Sequence, residues 1–240
     1  YSGNPRYVSL LSPETGFFDS DVPFIPRYRN TADQYALFVE DRLAVTGQLS
    51  LVAGLRHDRA RIRRDDLITG NRVFSRTWNS TGHRLGAVYA LTPTLSVYAQ
   101  HSRAADPSTA PLMMSASGAK ADMTIGRQIE VGIKQSLPQQ RGEWTLAAYH
   151  ITKHNLQSRD PANPENSLQV GKQSSRGLEG TLSLALSSTL RLDADATVLR
   201  ARYDDFNDAV DGAIVSRSGN TPPNVPERLA NLWLSWQMLP

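Results

Sequence analysis

The stretch Gln48-Leu-Ser-Leu-Val-Ala-Gly-Leu-Arg-His-Asp58 places an apolar residue at every odd position from 49 to 55. Its even positions hold mostly small or polar residues, such as Ser50 and Gly54. A repeat of two is the period at which side chains alternate between the faces of a β-strand. The stretch therefore predicts a strand with one apolar face and one wet face.

The same alternation recurs along most of the chain, whereas helical periodicity is nearly absent. Leu95, Val97 and Ala99 form one further apolar set, and the even positions from Leu190 to Val198 form another. The pattern predicts about nine strands, with boundaries good to a few residues. We place them near residues 33–44, 48–64, 76–91, 94–104, 122–136, 143–157, 169–186, 190–203 and 228–238.

The breaks between these strands alternate in length. Short turns lie near residues 46–47, 92–93, 138–142 and 187–189. Long polar connections cover about 65–75, 105–121, 158–168 and 204–227. Antiparallel strands give this order when one rim of a barrel carries tight turns and the other carries large loops, as in outer-membrane barrels. The sequence thus favours an all-β, antiparallel transmembrane barrel.

Composition excludes several other classes of protein. The 240 residues carry 26 Lys and Arg against 23 Asp and Glu, spread without a basic run, so nothing points to nucleic acid as a partner. The absence of cysteine rules out a disulfide scaffold, a thiolate metal site and a cysteine nucleophile within these residues. The most apolar short stretches are far below the roughly 20 residues that a membrane-spanning helix needs.

The residues that could carry chemistry do not form a convincing catalytic or metal site. Glu130, Glu179, Asp193 and Asp195 fall on the polar faces of their predicted strands, beside Lys134 and Arg191, so a charge ladder in water explains them. His150 and His154 are four residues apart, which separates them by roughly 13 Å on a strand. We expect no catalytic residue, no protein metal ligand and no cofactor, and therefore no enzyme activity.

Four pairs of stretches, in order, resemble the barrel of TonB-dependent siderophore receptors. The first three are Tyr35-Ala-Leu-Phe-Val-Glu-Asp-Arg with Leu49-Ser-Leu-Val-Ala-Gly-Leu-Arg-His-Asp, Arg84-Leu-Gly-Ala-Val-Tyr with Leu95-Ser-Val-Tyr-Ala-Gln-His-Ser, and Gln128-Ile-Glu-Val-Gly-Ile-Lys with Leu146-Ala-Ala-Tyr-His-Ile-Thr-Lys-His-Asn. The fourth runs from Ser175-Arg-Gly-Leu-Glu-Gly to Gly219-Asn-Thr-Pro-Pro-Asn-Val-Pro-Glu-Arg-Leu-Ala-Asn-Leu-Trp. Together they cover most of the chain.

The resemblance implies a barrel of about 22 strands in the bacterial outer membrane, closed around a plug. It implies uptake of a ferric siderophore, energised through the TonB–ExbB–ExbD system by way of the plug, with outer-membrane lipid around the barrel. No plug is visible in residues 1–240, so we expect a partial barrel domain that lacks the plug and the closing C-terminal strands.

A ferric siderophore is bulky, often anionic and aromatic-bearing, and its own oxygens hold the iron. Arg, Tyr, Trp and Met presented by loops and barrel walls are suited to bind it. The candidates lie in or near the rim of long connections. They are Arg27, Tyr28, Arg29, Trp78, Arg103, Met113 and Met114.

Two rival interpretations stay open on the sequence. In a soluble all-β carbohydrate-binding or other binding domain, the same apolar faces would pack against each other. In a smaller complete barrel that acts as a passive pore, the first and last strands would pair. The sequence also leaves undecided which side chains of residues 36–41 and 143–154 face lipid, because apolar and polar residues occur at both odd and even positions there.

Overall fold

Nine long strands form one antiparallel sheet in the computed structural model, which describes residues 27–106, 122–159, 167–211 and 213–238. Each strand pairs with its neighbours in sequence, and the last one pairs with β8. The long strands are β1 (Tyr28–Ala44), β2 (Leu49–Asp66), β3 (Arg72–Ala90), β4 (Leu95–Asp106), β5 (Thr124–Ser136), β6 (Gly142–Arg159), β7 (Ser167–Ala185), β8 (Leu190–Asp205) and β11 (Arg228–Trp236). The nine predicted strands and their antiparallel order are confirmed.

The connection between β2 and β3 is shorter than the sequence predicts. A long loop was expected over 65–75, but β2 continues to Asp66 and β3 begins at Arg72. The Asp66 carboxylate accepts hydrogen bonds from the amides of Ile68 at 2.9 Å and Thr69 at 3.0 Å, and the Gly70 amide donates to the Asp66 carbonyl at 2.9 Å. Gly70, with a φ of 70°, completes this tight turn.

A small hairpin within the long connection after β8 was not predicted. It consists of β9 (Asn207–Val210) and β10 (Ala213–Ser216), paired antiparallel. At its base the rings of Tyr203 and Phe206 stack with centroids 4.4 Å apart. The hairpin is too short to show a clear alternation in sequence.

The register sorts the side chains of the sheet into two faces. Away from the irregularities, the apolar face carries the odd residues of β1 to β5 and the even residues of β6, β7, β8 and β11. The register also settles which side chains of residues 36–41 and 143–154 lie on the apolar face. Leu37 and Val39 lie on the apolar face with Leu55, and Leu146 pairs with Ile133 on that same face.

Large side chains on the apolar face are exposed. Leu37 is 81% exposed, Leu55 57% and Leu232 72%. A soluble sandwich would cover such a face with a second sheet, but in the described ranges the only other sheet is the two-stranded hairpin. The apolar face therefore fits contact with lipid better than the sandwich interpretation.

Charged residues on the opposite, polar face pair with one another. Lys134 Nζ lies 2.9 Å from Glu143 Oε2, and Arg191 Nε lies 3.1 Å from Asp193 Oδ2. Tyr98 lies across Gly132, where an added Cβ would come within 2.6 Å of its ring, and its hydroxyl donates to Glu130 at 2.8 Å. These contacts support the predicted charge ladder, in which the carboxylates serve structure in water.

Aromatic residues near the strand ends divide between the two faces. Tyr89, Trp144 and Trp236 lie on the apolar face near the short-turn end, where an interfacial girdle is expected. Tyr98, Tyr149 and Trp233 lie on the polar face instead. No described helix is both long and apolar enough to cross a membrane.

Leu51→Arg tests the assignment of the apolar face. An arginine on the lipid side near the bilayer mid-plane costs about 2–4 kcal/mol. We expect the variant to be lost from the outer-membrane fraction of cells that express the protein, as measured by heat-modifiable electrophoretic mobility.

The matched control is Val52→Arg, one residue along β2 on the polar face. Position 52 pairs with Arg42, so Glu40 lies next to that pair along β1 and is within reach of a new guanidinium. This variant should assemble. Equal assembly of both variants would contradict the assignment of the faces.

Candidate ligand-binding site

Arginine and aromatic side chains gather on the polar face at the long-loop end of β1, β2 and β3. We call this the Arg–aromatic cluster. Its position follows from register, because Arg64 pairs with Asn30 on one side and Phe74 on the other, and Ala60 pairs with Trp78. The cluster consists of Arg27, Tyr28, Arg64, Phe74, Arg76 and Trp78.

Each guanidinium of the cluster lies over an aromatic ring. The Arg64 carbon Cζ is 5.3 Å from the Tyr28 ring centroid and 5.6 Å from that of Phe74. Arg76 is 5.1 Å from the Trp78 ring, and Arg27 is 5.2 Å from the Tyr28 ring. Such contacts hold a cation close to an aromatic surface within about 6 Å. The cluster presents positive charge and flat apolar surface side by side.

Polar partners fix the direction of these guanidiniums. Arg64 Nε donates to the side-chain oxygen of Asn30 at 2.8 Å, and Arg76 Nη2 donates to Asp122 at 2.7 Å. Arg27 Nε lies 3.6 Å from the Asp66 carboxylate. In these contacts of the described residues, three arginines lie near the carboxylates of Asp66 and Asp122.

Buried apolar residues pack against the cluster and support it. Trp78 is only 7% exposed and packs with Ala60, Ile62 and Met123, the largest buried apolar group among the described residues. Met123 comes from the segment just before β5, so that segment lies against β2 and β3. The indole is therefore held in one position, which favours a defined surface over a mobile one.

A polar clamp ties this segment to β6 and β7. Asn155 donates from its side chain to the Met123 carbonyl at 3.2 Å, and Thr124 donates to the Asn155 carbonyl at 3.3 Å. Gln169 hydrogen-bonds to both the amide and the carbonyl of Asp122. Asn155 has a φ of 61° at a register irregularity of β6, which turns its amide toward the clamp. The clamp places Asp122 beside Arg76.

The Asp66 carboxylate is stabilised in its charged form. Hydrogen bonds from the Thr69 and Ile68 amides, with the nearby charge of Arg27, hold the pKa of Asp66 below its ordinary value, against the opposing effect of burial. Because this pKa is lower when folded than when unfolded, its stabilising effect is full above the ordinary pKa of Asp. It is lost as the pH falls through the depressed value.

The structure brings three of the predicted ligand residues together and separates two. Arg27, Tyr28 and Trp78 belong to the Arg–aromatic cluster. Arg29 registers with Asp65, and Arg103 with His83 and Arg127, so both fall on the face opposite the cluster. Arg103 also donates to the Thr81 carbonyl. Met113 and Met114 lie outside the described residues.

Sequence reasoning missed Arg64, Phe74 and Arg76. Arg64 closes a predicted strand, and its parity with Val52 and Gly54 was a usable signal for the polar face. Phe74 fell inside the expected loop, and Arg76 stood at the predicted start of β3. Only the tight β2–β3 turn brings these three residues into one group.

Histidines and carboxylates do not assemble a metal site in the part of the chain that the structure describes, where no group of three such residues could hold an ion. His150 and His154 lie on β6 with His150 opposite Ile129 and His154 opposite Ile125. A positively charged, aromatic-lined surface suits an anionic ligand with planar groups, bound without a direct protein bond to metal.

A family model described as "TonB dependent receptor-like, beta-barrel" matches residues 2–240. The chain belongs to this family of TonB-dependent receptor barrels, which confirms the resemblance found in the sequence. One curated relative is the metal-pseudopaline receptor CntO of Pseudomonas aeruginosa, 29% identical over 80% of this chain and 27% of its own length. Another is the ferrioxamine receptor of Yersinia enterocolitica, 28% identical over 96% of this chain and 32% of its own length.

Solved structures share the fold. The siderophore receptor PiuA from Acinetobacter baumannii superposes with a TM-score of 0.77 at 20% identity, covering 89% of this chain and 32% of that structure. The alcaligin outer-membrane receptor FauA from Bordetella pertussis gives a TM-score of 0.68 at 19% identity over 89% of this chain and 35% of its own. The chain thus spans about a third of these receptors and has the architecture of part of their barrels.

Asp66→Ala tests the turn that holds the cluster. Loss of the carboxylate removes the acceptor for two amides and the partner of Arg27, so we expect faster hydrogen–deuterium exchange in residues 67–71. The neighbouring Asp65→Ala is the control, because Asp65 pairs with Arg72 at 3.2 Å and accepts no bond from the turn amides that Asp66 holds. Equal exchange in both variants would contradict the role of Asp66.

Proposed function

We propose that this chain supplies part of the barrel wall of an outer-membrane receptor that takes up ferric siderophores, energised through TonB. The support is the family match together with relatives whose names describe receptors for metal–pseudopaline and ferrioxamine. The single observation that carries the proposal is the Arg–aromatic cluster on the polar face at the long-loop end. It stands where a ligand entering from outside would first meet the wall.

The two faces of the sheet fit this location. The exposed apolar face would contact outer-membrane lipid, and the polar face with its paired charges would face the interior of a multi-pass barrel of about 22 strands. In that arrangement a plug would fill the interior and connect the receptor to the TonB–ExbB–ExbD system. The chain would serve as a transporter wall and not as an enzyme.

The chemistry of the cluster suggests how a ferric siderophore would bind. The siderophore's own oxygens would hold the iron, so the wall needs no metal ligand. Guanidiniums of Arg27 and Arg76 would attract the anionic complex, and the exposed ring of Tyr28 would contact its flat groups, while the buried side chains of Arg64 and Trp78 would hold these groups in place. A ligand role for Arg29, Arg103, Met113 and Met114 stays a prediction.

Arg76→Gln tests this role in the complete receptor, because the Arg76 side chain is 29% exposed whereas Arg64 is buried. Because a hydrogen bond or ion contact to a charged ligand contributes about 1.5–3 kcal/mol, we expect siderophore binding to weaken about tenfold or more. The measurement is equilibrium binding of the receptor's ferric siderophore, with uptake of radioactive iron as the second readout.

Arg61→Gln is the matched control. Arg61 lies on β2 across from Thr77, the residue next to Arg76, but it registers on the opposite face and is exposed. Its removal should leave binding unchanged. If Arg76→Gln assembles normally and binds the siderophore as tightly as the parent, the cluster is not the ligand site.

A further inference from the structure

The two carboxylates that pair with the Arg–aromatic cluster are held in different ways. The Asp66 side chain is 10% exposed and accepts hydrogen bonds from the amides of Ile68 and Thr69. The Asp122 side chain is 73% exposed, and among the described residues its carboxylate meets only the guanidinium of Arg76, at 2.7 Å. Asp66 therefore belongs to the structure of the turn, whereas the carboxylate of Asp122 has a single partner that it can leave.

The backbone of Asp122 is anchored although its side chain is exposed. Gln169 hydrogen-bonds to both its amide and its carbonyl. The next residue, Met123, is 6% exposed in the buried apolar group, and its carbonyl accepts a hydrogen bond from Asn155 at 3.2 Å. Rotation about the side-chain bonds of Asp122 can thus remove the carboxylate from Arg76 while the backbone stays in place.

The guanidinium of Arg76 keeps its position when Asp122 turns away. Its carbon Cζ lies 5.1 Å from the ring centroid of Trp78, which is 7% exposed and fixed by packing. The Arg76 side chain is 29% exposed, so a ligand can reach it. An exposed ion pair contributes little stability, because water solvates both charges well. An incoming anion can therefore replace the carboxylate at the same guanidinium with little loss of stability.

The ion pair bears on how a ligand would reach the cluster. Under the proposed function Arg76 attracts an anionic complex, yet its guanidinium already holds a carboxylate. An anion placed beside the charged Asp122 side chain would be repelled by it, since like charges at a few ångströms oppose each other. Binding is most favourable when the Asp122 carboxylate turns away as the ligand arrives.

We propose that Asp122 occupies, before a ligand binds, the place at Arg76 that an anionic oxygen of the ferric siderophore then takes. This inference rests on the proposed function and names the class of ligand. Three catecholates give iron(III) an excess of negative charge, whereas three hydroxamates leave the iron centre neutral. Asp122 is a specificity-determining residue that favours ligands with enough negative charge to displace it.

The test measures equilibrium binding of two probes to the complete receptor, a ferric tricatecholate and a neutral ferric trihydroxamate. The variant Asp122→Asn removes the charge and keeps the size of the side chain. We expect it to bind the tricatecholate about three- to fivefold more tightly, because an exposed ion pair no longer competes with the ligand. Binding of the neutral complex should not change. A purely structural role for Asp122 would instead weaken the binding of both probes.

Two further variants serve as controls. Asp65→Asn removes a carboxylate from a similar ion pair on the opposite face, where Asp65 Oδ1 lies 3.2 Å from Arg72 Nε, and should bind both probes as the parent does. Adding Asp122→Asn to Arg76→Gln should give little further gain, because no guanidinium remains to be released. Should Asp122→Asn fail to assemble, Asp122→Ser makes the same test.

The proposal is overturned if Asp122→Asn binds the tricatecholate no more tightly than the parent, or if the neutral complex shows the same gain. Failure of the parent receptor to bind the tricatecholate would overturn it as well. The variant Arg76→Gln separates the two proposals. If it weakens binding while Asp122→Asn changes nothing, the exchange is wrong and the ligand site stands. If Arg76→Gln itself has no effect, the ligand site is wrong.

Discussion

The constraint on which the whole structure depends is that one sheet meets two unlike environments. Every backbone amide and carbonyl within an apolar medium must be paired, so strands can lie there only when they hydrogen-bond to neighbours along their length. The register that satisfies the backbone also aligns parity across β1 to β8 and β11, so that Leu55, Leu146 and Leu232 appear on one face. A slip of one residue in any strand would move its leucines to the polar face.

The strands continue beyond the end of the apolar face, and there the same register brings a different set of side chains together. There the outward side of β2 becomes exposed and basic, while its inward side buries Ala60 and Ile62 against Trp78. The buried group supports the rings, and the rings align the guanidiniums of Arg64 and Arg76. The tight turn at Asp66 is what joins the contributions of β2 and β3 into one surface.

Much of the fold could be predicted because alternation is strong wherever one face is apolar. Prediction from alternation failed where the contrast between the two faces is weak. On β1 the apolar face carries Asp41 and the polar face carries Phe38, so parity could be read only from pairing with β2. At residues 65–75 a stretch that contains Asp, Gly and Asn was predicted as a loop, although strands that project beyond the apolar level need no leucines to continue.

The Arg–aromatic cluster was harder to predict than the fold. Residue type alone selected Tyr28 and Trp78, which belong to the cluster, and also Arg29, which lies on the opposite face. Composition carries no information about the face on which a side chain lies. Arg64 and Phe74 come together only through cross-strand pairing.

The most direct test of the two-faced sheet is a cysteine scan along β2, for which the absence of cysteine from this chain is convenient. Single cysteines at Leu49, Ser50, Leu51, Val52 and Leu55 would be introduced into the receptor in intact outer membrane and treated with a charged maleimide. The account predicts labelling at positions 50 and 52 and none at 49, 51 and 55. Uniform labelling, or labelling at the odd positions, would contradict it.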